Sequence, residues 1–396
     1  MILRVAWAMV KPPSAPGVWY DTAIIHERKR KSSWTMDPFS DNTAQRMTEP
    51  FEYAEDNHGA GERPKSITLK DVARLAGLSP ITVSRALHNP RLVKPDTIAR
   101  VKEAAAAIGY IPNMLAGSLT TKRSQLIAAV VPQLSNSMFA ETVQGLNDEL
   151  SAHGYQLLLS VSNYSRQKEE DLLTAILSRQ PDGIVLTGIS HHPGVRKKLL
   201  ATGVPVVETW DLTPSPIDIV IGFSQERIGE KVAQYLLGKG YRRIASICAR
   251  DERANRRRLA LEAELQQHGV APVATHMATP PTVLNLGREG LRAILAAGHA
   301  PDVVVCSSDV LAQGALIEAA AQGIAVPETL GIMGFGDFDF AAFTHPPISS
   351  VHIDKRAIGV MAAQALIARI EGEPLPEHVI DVGFQLIERA TTQKVD

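Results

Sequence analysis

Residues 79–88 combine hydrogen-bonding side chains with an arginine and a histidine in one short run. Such groups contact phosphate oxygens and base edges when a helix carries them into the major groove of DNA. Val83 and Leu87 lie four residues apart, so both fall on one face of a helix and leave the other face to a partner. The side chains that the pattern assigns to this free face are Pro80, Ile81, Thr82, Ser84, Arg85 and His88.

Three short helices are expected to position this face. Thr68 can cap the first helix and Gly77 ends it, while Ser79 caps the second. A third helix is expected from about Pro95 to Ile108. Small helical bundles of other functions share this periodicity, so the pattern alone leaves DNA binding open. The apolar positions expected to form the common core are Val72, Leu75, Ala76, Val83, Leu87, Ile98, Val101, Ala105 and Ile108.

Positive charge is concentrated around these helices. The whole chain is balanced, with 41 basic and 42 acidic residues. Between Lys65 and Arg123, however, ten basic residues stand against three acidic ones, a net charge of about +7. A polyanionic partner suits such a segment, and its binding should weaken steeply with added salt because counterions are released.

The composition indicates a soluble globular chain, with 45% hydrophobic and 21% charged residues among 396. No apolar run approaches the ~20 residues of a membrane span. Cys248 and Cys306 each lie in a strand-like run, which favours free buried thiols in a reducing compartment. We therefore expect a cytoplasmic protein, and Arg4 interrupts the apolar start that a signal peptide would need.

Residues 1–65 show no helical or strand periodicity. They mix prolines with scattered tryptophans and a basic cluster at 28–31, a composition typical of disorder. We interpret this segment as a disordered extension or a misassigned start, with Met36 or Met47 nearer the true start.

From Gln125 onward, apolar strands alternate with amphipathic helices, beginning with LIAAVVP. This alternation is typical of parallel α/β folds, and it occurs in two sets. The sequence therefore predicts two doubly wound lobes with a ligand cleft between them, at the carboxyl ends of the strands.

No motif indicates an enzyme. The segment GFGDFD around Gly334 lacks the third glycine and the strand-to-helix setting of a dinucleotide site. His191 and His192 are adjacent on a loop without cysteine or carboxylate neighbours, which is more typical of a polar turn than of a metal site. We expect no catalytic residue, no metal and no cofactor.

The segments DVARLAGLSPITVSRALHNP and GYIPNMLAGSL resemble the lactose-repressor (LacI/GalR) family of transcription regulators, and the resemblance covers roughly residues 66–392. It implies an all-α helix-turn-helix head at 66–112, a hinge helix and linker at 113–124, and a bilobed, periplasmic-binding-protein-like α/β domain at 125–392. In this family the hinge helix orders on operator DNA and inserts a leucine wedge into the minor groove. The resemblance adds these DNA contacts to the helix face above: Thr68, Ser79, Asn113, Ala116 and Leu119.

The same resemblance places effector contacts in the loops that follow the strands. Arg257 matches the family's ligand arginine, which precedes a glycine by three residues, but Ala260 stands at the glycine position here. The register can therefore shift to a neighbouring arginine. An arginine facing an aspartate suits a polyhydroxylated acid, and Trp210 offers a stacking face. The candidate effector residues are Ser135, Asn136, Met138, Phe139, Glu208, Trp210, Arg253, Arg257, Arg258, Asp309 and Asp337.

The sequence thus predicts a homodimeric repressor that binds palindromic operator DNA under the control of a small effector. The stretches PQLSNSMFAE, VPVVETWD, ARDERA and GFGDFDFA are most similar to the gluconate-repressor branch, which implies a sugar or sugar-acid effector. Whether that effector releases or strengthens DNA binding stays open. The alternative is a solute-binding protein for a sugar, which would share the bilobed module without a DNA-binding role.

Overall fold

The head consists of three helices. The computed structural model describes residues 67–111, 123–134 and 138–393. In the first of these ranges, α1 spans Leu69–Ala76, α2 spans Pro80–His88 and α3 spans Pro95–Ile108. A short 3-10 turn at Pro90–Leu92 joins α2 to α3. These bounds match the three helices that the sequence predicts.

Local hydrogen bonds begin and end these helices. The amide and the hydroxyl of Thr68 both donate to the Asp71 carboxylate, and these bonds lower the pKa of Asp71. Gly77 ends α1 with φ of +62°, a conformation that glycine adopts without a steric penalty. The Ser79 hydroxyl then accepts a hydrogen bond from the Thr82 amide, which caps α2.

The helix-turn-helix core differs from its prediction at one residue. Leu75 is 54% exposed, whereas its neighbour Ala73 is buried. Because α1 packs against both α2 and α3, its buried face centres on Val72, Ala73 and Ala76, and Leu75 falls outside it. The buried residues of the head are Val72, Ala73, Ala76, Val83, Ala86, Val101, Ala104 and Ala105.

The first lobe of the binding domain contains a six-stranded parallel sheet with the order β11-β5-β4-β3-β1-β2. Helices α4 and α11 cover one face of this sheet, and α5 and α6 cover the other. Alternate residues of β1 divide between these faces, with Ile127 toward α4 and Ala128 toward α5. The strands are β1 Leu126–Val131, β2 Gln156–Val161, β3 Gly183–Thr187, β4 Val206–Thr209, β5 Ile219–Gly222 and β11 Val379–Asp381. The helices are α4 Ala140–Ala152, α5 Arg166–Leu177, α6 Pro193–Thr202 and α11 Lys355–Glu371.

The second lobe contains a four-stranded parallel sheet with the order β7-β6-β8-β9. Helices α7 and α8 pack on one face, and α9 and α10 pack on the other. The strands are β6 Ile244–Ala249, β7 Ala274–Ala278, β8 Val303–Cys306 and β9 Gly331–Met333. The helices are α7 Gln225–Gly238, α8 Glu252–Gln267, α9 Leu284–Ala296 and α10 Asp309–Ala321.

The chain passes between the lobes at three points, after β5, after β10 and after β11. Strand β10, at Ser350–His352, pairs antiparallel with β12, at Gln385–Ile387, beside these crossings. Two 3-10 turns, Asp339–Ala342 and Ala390–Thr392, complete the second lobe. The two predicted α/β lobes are therefore confirmed. Across the described ranges, no helix has both the length and the apolar character that a membrane span requires.

Candidate DNA-binding surface and effector chamber

The free face of α2 lies where the sequence predicts it. Ile81 is 66% exposed, and Pro80 and Arg85 are also exposed. Thr82, Ser84 and His88 are partly exposed, while Val83 and Ala86 face the core. The hinge candidates Asn113, Ala116 and Leu119 lie outside the described residues. The described head therefore presents a helix face that combines polar side chains and one arginine with two apolar side chains, Pro80 and Ile81.

Two connected cavities occupy the cleft between the lobes. The first, which we call the deep chamber, has a volume of about 30 Å³. The second, which we call the cleft mouth, has a volume of about 260 Å³. Both are lined by loops that follow strands of both sheets, as expected for parallel α/β folds. The two cavities share Tyr164, Asp251 and Arg253.

The deep chamber combines aromatic rings, hydroxyls and guanidinium groups. Of the candidates predicted from sequence, Met138, Phe139, Trp210, Arg253 and Arg257 line it. Ser135 and Asn136 lie outside the described residues. The lining residues that the sequence analysis did not identify are Tyr164, Gln225, Ala249, Asp251, Thr282, Ser307, Ser308 and Phe335.

Arg257 lies in the wall of the deep chamber. Its Nη1 donates to Gln225 Oε1 at 2.5 Å, and its Nη2 donates to the Ser307 carbonyl at 3.2 Å. The guanidinium carbon lies 3.7 Å from the centre of the Phe335 ring. Burial lowers the pKa of Arg257, and within the described chain no carboxylate forms an ion pair with it. The guanidinium therefore adds a positive charge that the wall leaves uncompensated.

Arg253 contributes a second such charge. Its Nη1 is buried and has no hydrogen-bond partner among the described residues. Its guanidinium carbon lies 5.5 Å from the centre of the Phe139 ring. Gly188 approaches closely from the first lobe, where a side-chain carbon would lie 3.3 Å from this Nη1. A buried donor without a partner is costly, so the position suits a ligand acceptor.

Trp210 lines the chamber, but its ring is not open for the stacking on a sugar that the sequence analysis proposes. It is only 2% exposed, and its indole packs edge-on against Phe139 at 5.0 Å and Phe223 at 5.8 Å. Its Nε1 donates to Thr142 Oγ1 at 3.2 Å, and its carbonyl accepts from Gln225. Because neighbouring rings occupy its surroundings, the side chain supports the wall and offers no open stacking face.

The three adjacent arginines of α8 have different surroundings. Arg258 Nη1 binds Glu262, and the side chain lines an apolar cavity behind the helix and not the deep chamber, where the prediction of an effector contact would place it. Arg256 binds Asp211 and Glu226, both at 2.6 Å. The helical step of about 100° per residue separates these directions and leaves Arg257 facing the chamber.

Asp309 and Asp337 also lie elsewhere than predicted, since neither lines a cleft cavity. Asp309 is fully buried and accepts hydrogen bonds from the Phe338 amide at 2.7 Å and the Ser350 hydroxyl at 2.6 Å. Burial raises the pKa of Asp309 to about 6. Asp337 forms ion pairs with His352 and Arg389 beside the lobe crossings. Both carboxylates are engaged in structure, and the adjacent residue Ser308 reaches the chamber instead.

Glu208 belongs to a buried cluster with His191, away from the chamber. Its Oε2 accepts from the Ile217 amide at 2.6 Å, and its Oε1 lies 3.3 Å from His191 Nε2. Glu169 binds the other ring nitrogen at 2.7 Å. Burial alone would lower the pKa of His191, but the bonds and charges of Glu169 and Glu208 outweigh it and raise the pKa to about 9. Searched over the described residues, the structure holds no cluster of metal-ligating side chains suited to an ion.

Two ion pairs span the cleft. Arg166 of the first lobe lies 2.6 Å from Glu252 of the second, and Ser190 also binds Glu252. Arg256 of the second lobe lies 2.6 Å from Asp211 of the first. Burial raises the pKa of Asp211 to about 6, although Arg256 acts in the opposite direction. The Asp211 side chain is 2% exposed and the Glu252 side chain 47%, so the Arg256 pair is the stronger link.

A helix-turn-helix head followed by a bilobed binding module defines a DNA-binding regulator that responds to a small molecule. The family model for bacterial regulatory proteins of the lacI family matches residues 68–113, and the periplasmic binding protein-like domain model matches residues 233–392. The HTH-type transcriptional regulator GntR of Pseudomonas aeruginosa is 38% identical over 327 residues, which cover 82% of this chain and 95% of that relative. The chain therefore belongs to the LacI family, and it is similar to the gluconate-repressor branch.

Solved structures agree with this assignment. A LacI-family transcriptional regulator from Silicibacter pomeroyi is 33% identical with a TM-score of 0.79, covering 83% of this chain and 100% of that one. A lac repressor dimer bound to operator and the anti-inducer ONPF shares the fold at 22% identity and a TM-score of 0.72, covering 83% and 99%. The protein is accordingly a transcriptional regulator that binds DNA.

The buried histidine cluster makes stability depend on pH. A histidine whose pKa is raised on folding adds stability that is complete below its unfolded pKa of ~6.5 and is lost as the pH rises through about 9. We expect the stability advantage of the wild type over His191→Gln to fall by about 3 kcal/mol between pH 6.5 and pH 9.5. Urea unfolding at a series of pH values measures it. His299→Gln, at an exposed ring, is the matched control, and a wild-type advantage that stays constant with pH would contradict the assignment.

Proposed function

We propose that this regulator represses transcription as a homodimer on a palindromic operator and that a sugar acid, gluconate or a close analogue, controls its affinity for DNA. The uncompensated charge in the deep chamber carries this proposal. Arg253 and Arg257 lie there without a carboxylate partner within the described chain, among hydroxyls and aromatic rings. A small anion with several hydroxyl groups complements that lining. The similarity to proteins named GntR supports the same effector class.

The head supports the DNA side of the proposal. The exposed face of α2 carries Arg85, which is long enough to reach guanine O6 and N7, and Ile81, which suits a thymine methyl group. A two-fold protein matches a two-fold site, and the related lac repressor structure is a dimer bound to operator. Asn113, Ala116 and Leu119 complete the proposed contacts through the hinge, with Leu119 as the minor-groove wedge. Because operator DNA lies in the bacterial cytoplasm, the protein acts there.

The cleft supplies a physical link between effector and operator. An anion in the chamber adds contacts to both lobes, and these contacts differ in number between a closed and an open cleft. The anion therefore binds the two lobe arrangements with different affinities, and only a difference in affinity can shift the balance between them. The chain crosses between lobes at three points, so a change in lobe angle moves the start of the binding domain, where the hinge attaches. An effector that favours one angle thereby changes how well two hinges fit one operator.

A solute-binding protein is the competing function, since it would use the same bilobed module. The match of residues 68–113 to the lacI family model favours the DNA-binding role. The GntR relatives are transcriptional regulators, and the chamber brings together no nucleophile with a paired base among its described residues. We propose a binding function without catalysis.

Arg85→Ala tests the DNA-binding face. Losing a bidentate base contact should weaken binding by about 1–3 kcal/mol, roughly 5- to 150-fold, while affinity for gluconate stays unchanged. Fluorescence polarisation measures it, with a palindromic duplex selected from a random pool by the wild-type protein. Arg179→Ala removes the same charge from an exposed site just after α5 and should keep full affinity. Equal losses in both variants would contradict a role for α2 in recognition.

Thermal unfolding of the wild type tests the effector class. Sodium gluconate binds the native state only, so it should raise the unfolding midpoint as its concentration increases. Sorbitol offers hydroxyl groups without a carboxylate and should raise it much less at equal concentration. Equal shifts with both compounds, or no shift with gluconate and its oxidised analogues, would contradict a sugar-acid effector.

A further inference from the structure

The geometry points to Tyr164 and Arg253 as the pair that holds the effector's carboxylate, at the junction of the deep chamber and the cleft mouth. Arg257, the arginine that the family resemblance selects, orders the chamber wall through its bonds to Gln225 and the Ser307 carbonyl. This inference rests on the proposed function, because it names the contacts of the same site. Tyr164 was not among the residues singled out from the sequence.

Arg253 is the guanidinium that remains available. Its Nη1 is buried without a hydrogen-bond partner in the described chain, and no ion pair reaches it there. The acids next to it are already engaged, since Asp251 accepts from the Ala254 amide at 3.0 Å and Glu252 binds Arg166 at 2.6 Å. A partly buried guanidinium without an ion-pair partner is stabilised most when the ligand brings an anionic group to it.

Tyr164 reaches the same junction from the first lobe. It follows β2 and lines both cavities, and its hydroxyl forms no hydrogen bond within the part of the chain that the structure describes. Asn163 and Tyr164 both have positive φ, +53° and +58°, which is uncommon for two successive residues other than glycine. Burial raises the pKa of Tyr164 to about 12, so the phenol keeps its proton and can donate to a carboxylate.

The guanidinium of Arg257 already has hydrogen-bond partners in the chamber wall. Its two terminal nitrogens donate to Gln225 and to the Ser307 carbonyl, and its plane lies 3.7 Å from the Phe335 ring centre. A carboxylate binds arginine best through two parallel N–H bonds, and one N–H of each terminal nitrogen of Arg257 is already taken by these partners. Arg257 thus ties α7 to the end of β8 and stiffens the wall.

The pair determines how a sugar acid lies in the site. With the carboxylate at the junction, the hydroxyl-bearing carbons extend into the deep chamber toward Thr282, Ser307 and Ser308. Selection against neutral sugars follows, because a polyol leaves Arg253 and the Tyr164 hydroxyl without an acceptor.

Calorimetric titration of the full-length protein with sodium gluconate tests the inference. Tyr164→Phe removes only the hydroxyl and should weaken binding at least about 10-fold, because hydrogen bonds to charged groups are strong. Arg253→Met should weaken it at least about 100-fold, and Arg253→Lys should recover part of that loss because it keeps the charge. Arg243→Met is the matched control, an exposed arginine just before β6 in the same lobe that lines neither cavity, and should stay within about threefold of the wild type.

The unfolding midpoints of the ligand-free variants show whether each variant is folded. Folded Tyr164→Phe and Arg253→Met proteins that bind gluconate as tightly as Arg243→Met would overturn the inference while leaving the proposed function intact. The same conclusion holds if Arg253→Lys binds no better than Arg253→Met. A wild-type protein that binds no sugar acid would overturn the proposed function, and the inference with it.

Discussion

Parallel strands are the constraint on which the binding domain depends, because every strand of a parallel sheet ends at the same edge. The two sheets face each other across the cleft through those edges. Loops after β1, β2, β3 and β4 therefore meet loops after β6, β8 and β9. The residues that line the cleft are far apart in the sequence, and the edge of each sheet brings them together.

Charge balance explains why this cleft suits an anion. Each acid that lines it already has a partner: Asp211 binds Arg256, Glu252 binds Arg166, Glu169 binds His191, and Asp251 caps α8. The positive side is less closely balanced within the described residues, since Arg253 and Arg257 form no ion pair, and the charges of Asp251 and Asp211 act on Arg257 without direct contact. Buried charge without a counterion is costly, and a ligand carboxylate offsets that cost when it binds. Whether the ion pairs across the cleft oppose or favour closure then depends on the ligand that binds.

Structural features that depend on neighbouring residues in the sequence could be predicted from it. Capping residues and helical spacing located the head helices, and alternating strands and helices located the two lobes. Leu75 shows the limit, because which side of α1 is buried depends on the positions of α2 and α3. Of the residues proposed from family matching, Met138, Phe139 and Arg257 line the chamber, whereas the Asp309 carboxylate turns inward to Phe338 and Ser350.

The surroundings of other site residues could not be predicted, because they depend on three-dimensional geometry that the spacing of residues along the sequence does not show. Only the turn of α8 separates the directions of Arg256, Arg257 and Arg258. The sequence around His191 indicates only a polar turn. Its partners Glu169 and Glu208 lie in distant parts of the sequence, and the fold alone brings them to the ring. Tyr164 carried a usable signal, since it directly follows a predicted strand, and applying the strand-end rule to every strand would have found it.

The central claim is that effector and operator bind one protein with coupled affinities. The most direct measurement is the affinity for the selected operator duplex with and without saturating gluconate, together with the affinity for gluconate with and without saturating duplex, at one salt concentration. Linkage requires the two ratios to be equal, and we expect a common factor of about 5–150, as is typical of allosteric coupling. Tight binding of both ligands with a ratio of one in each direction would contradict the account.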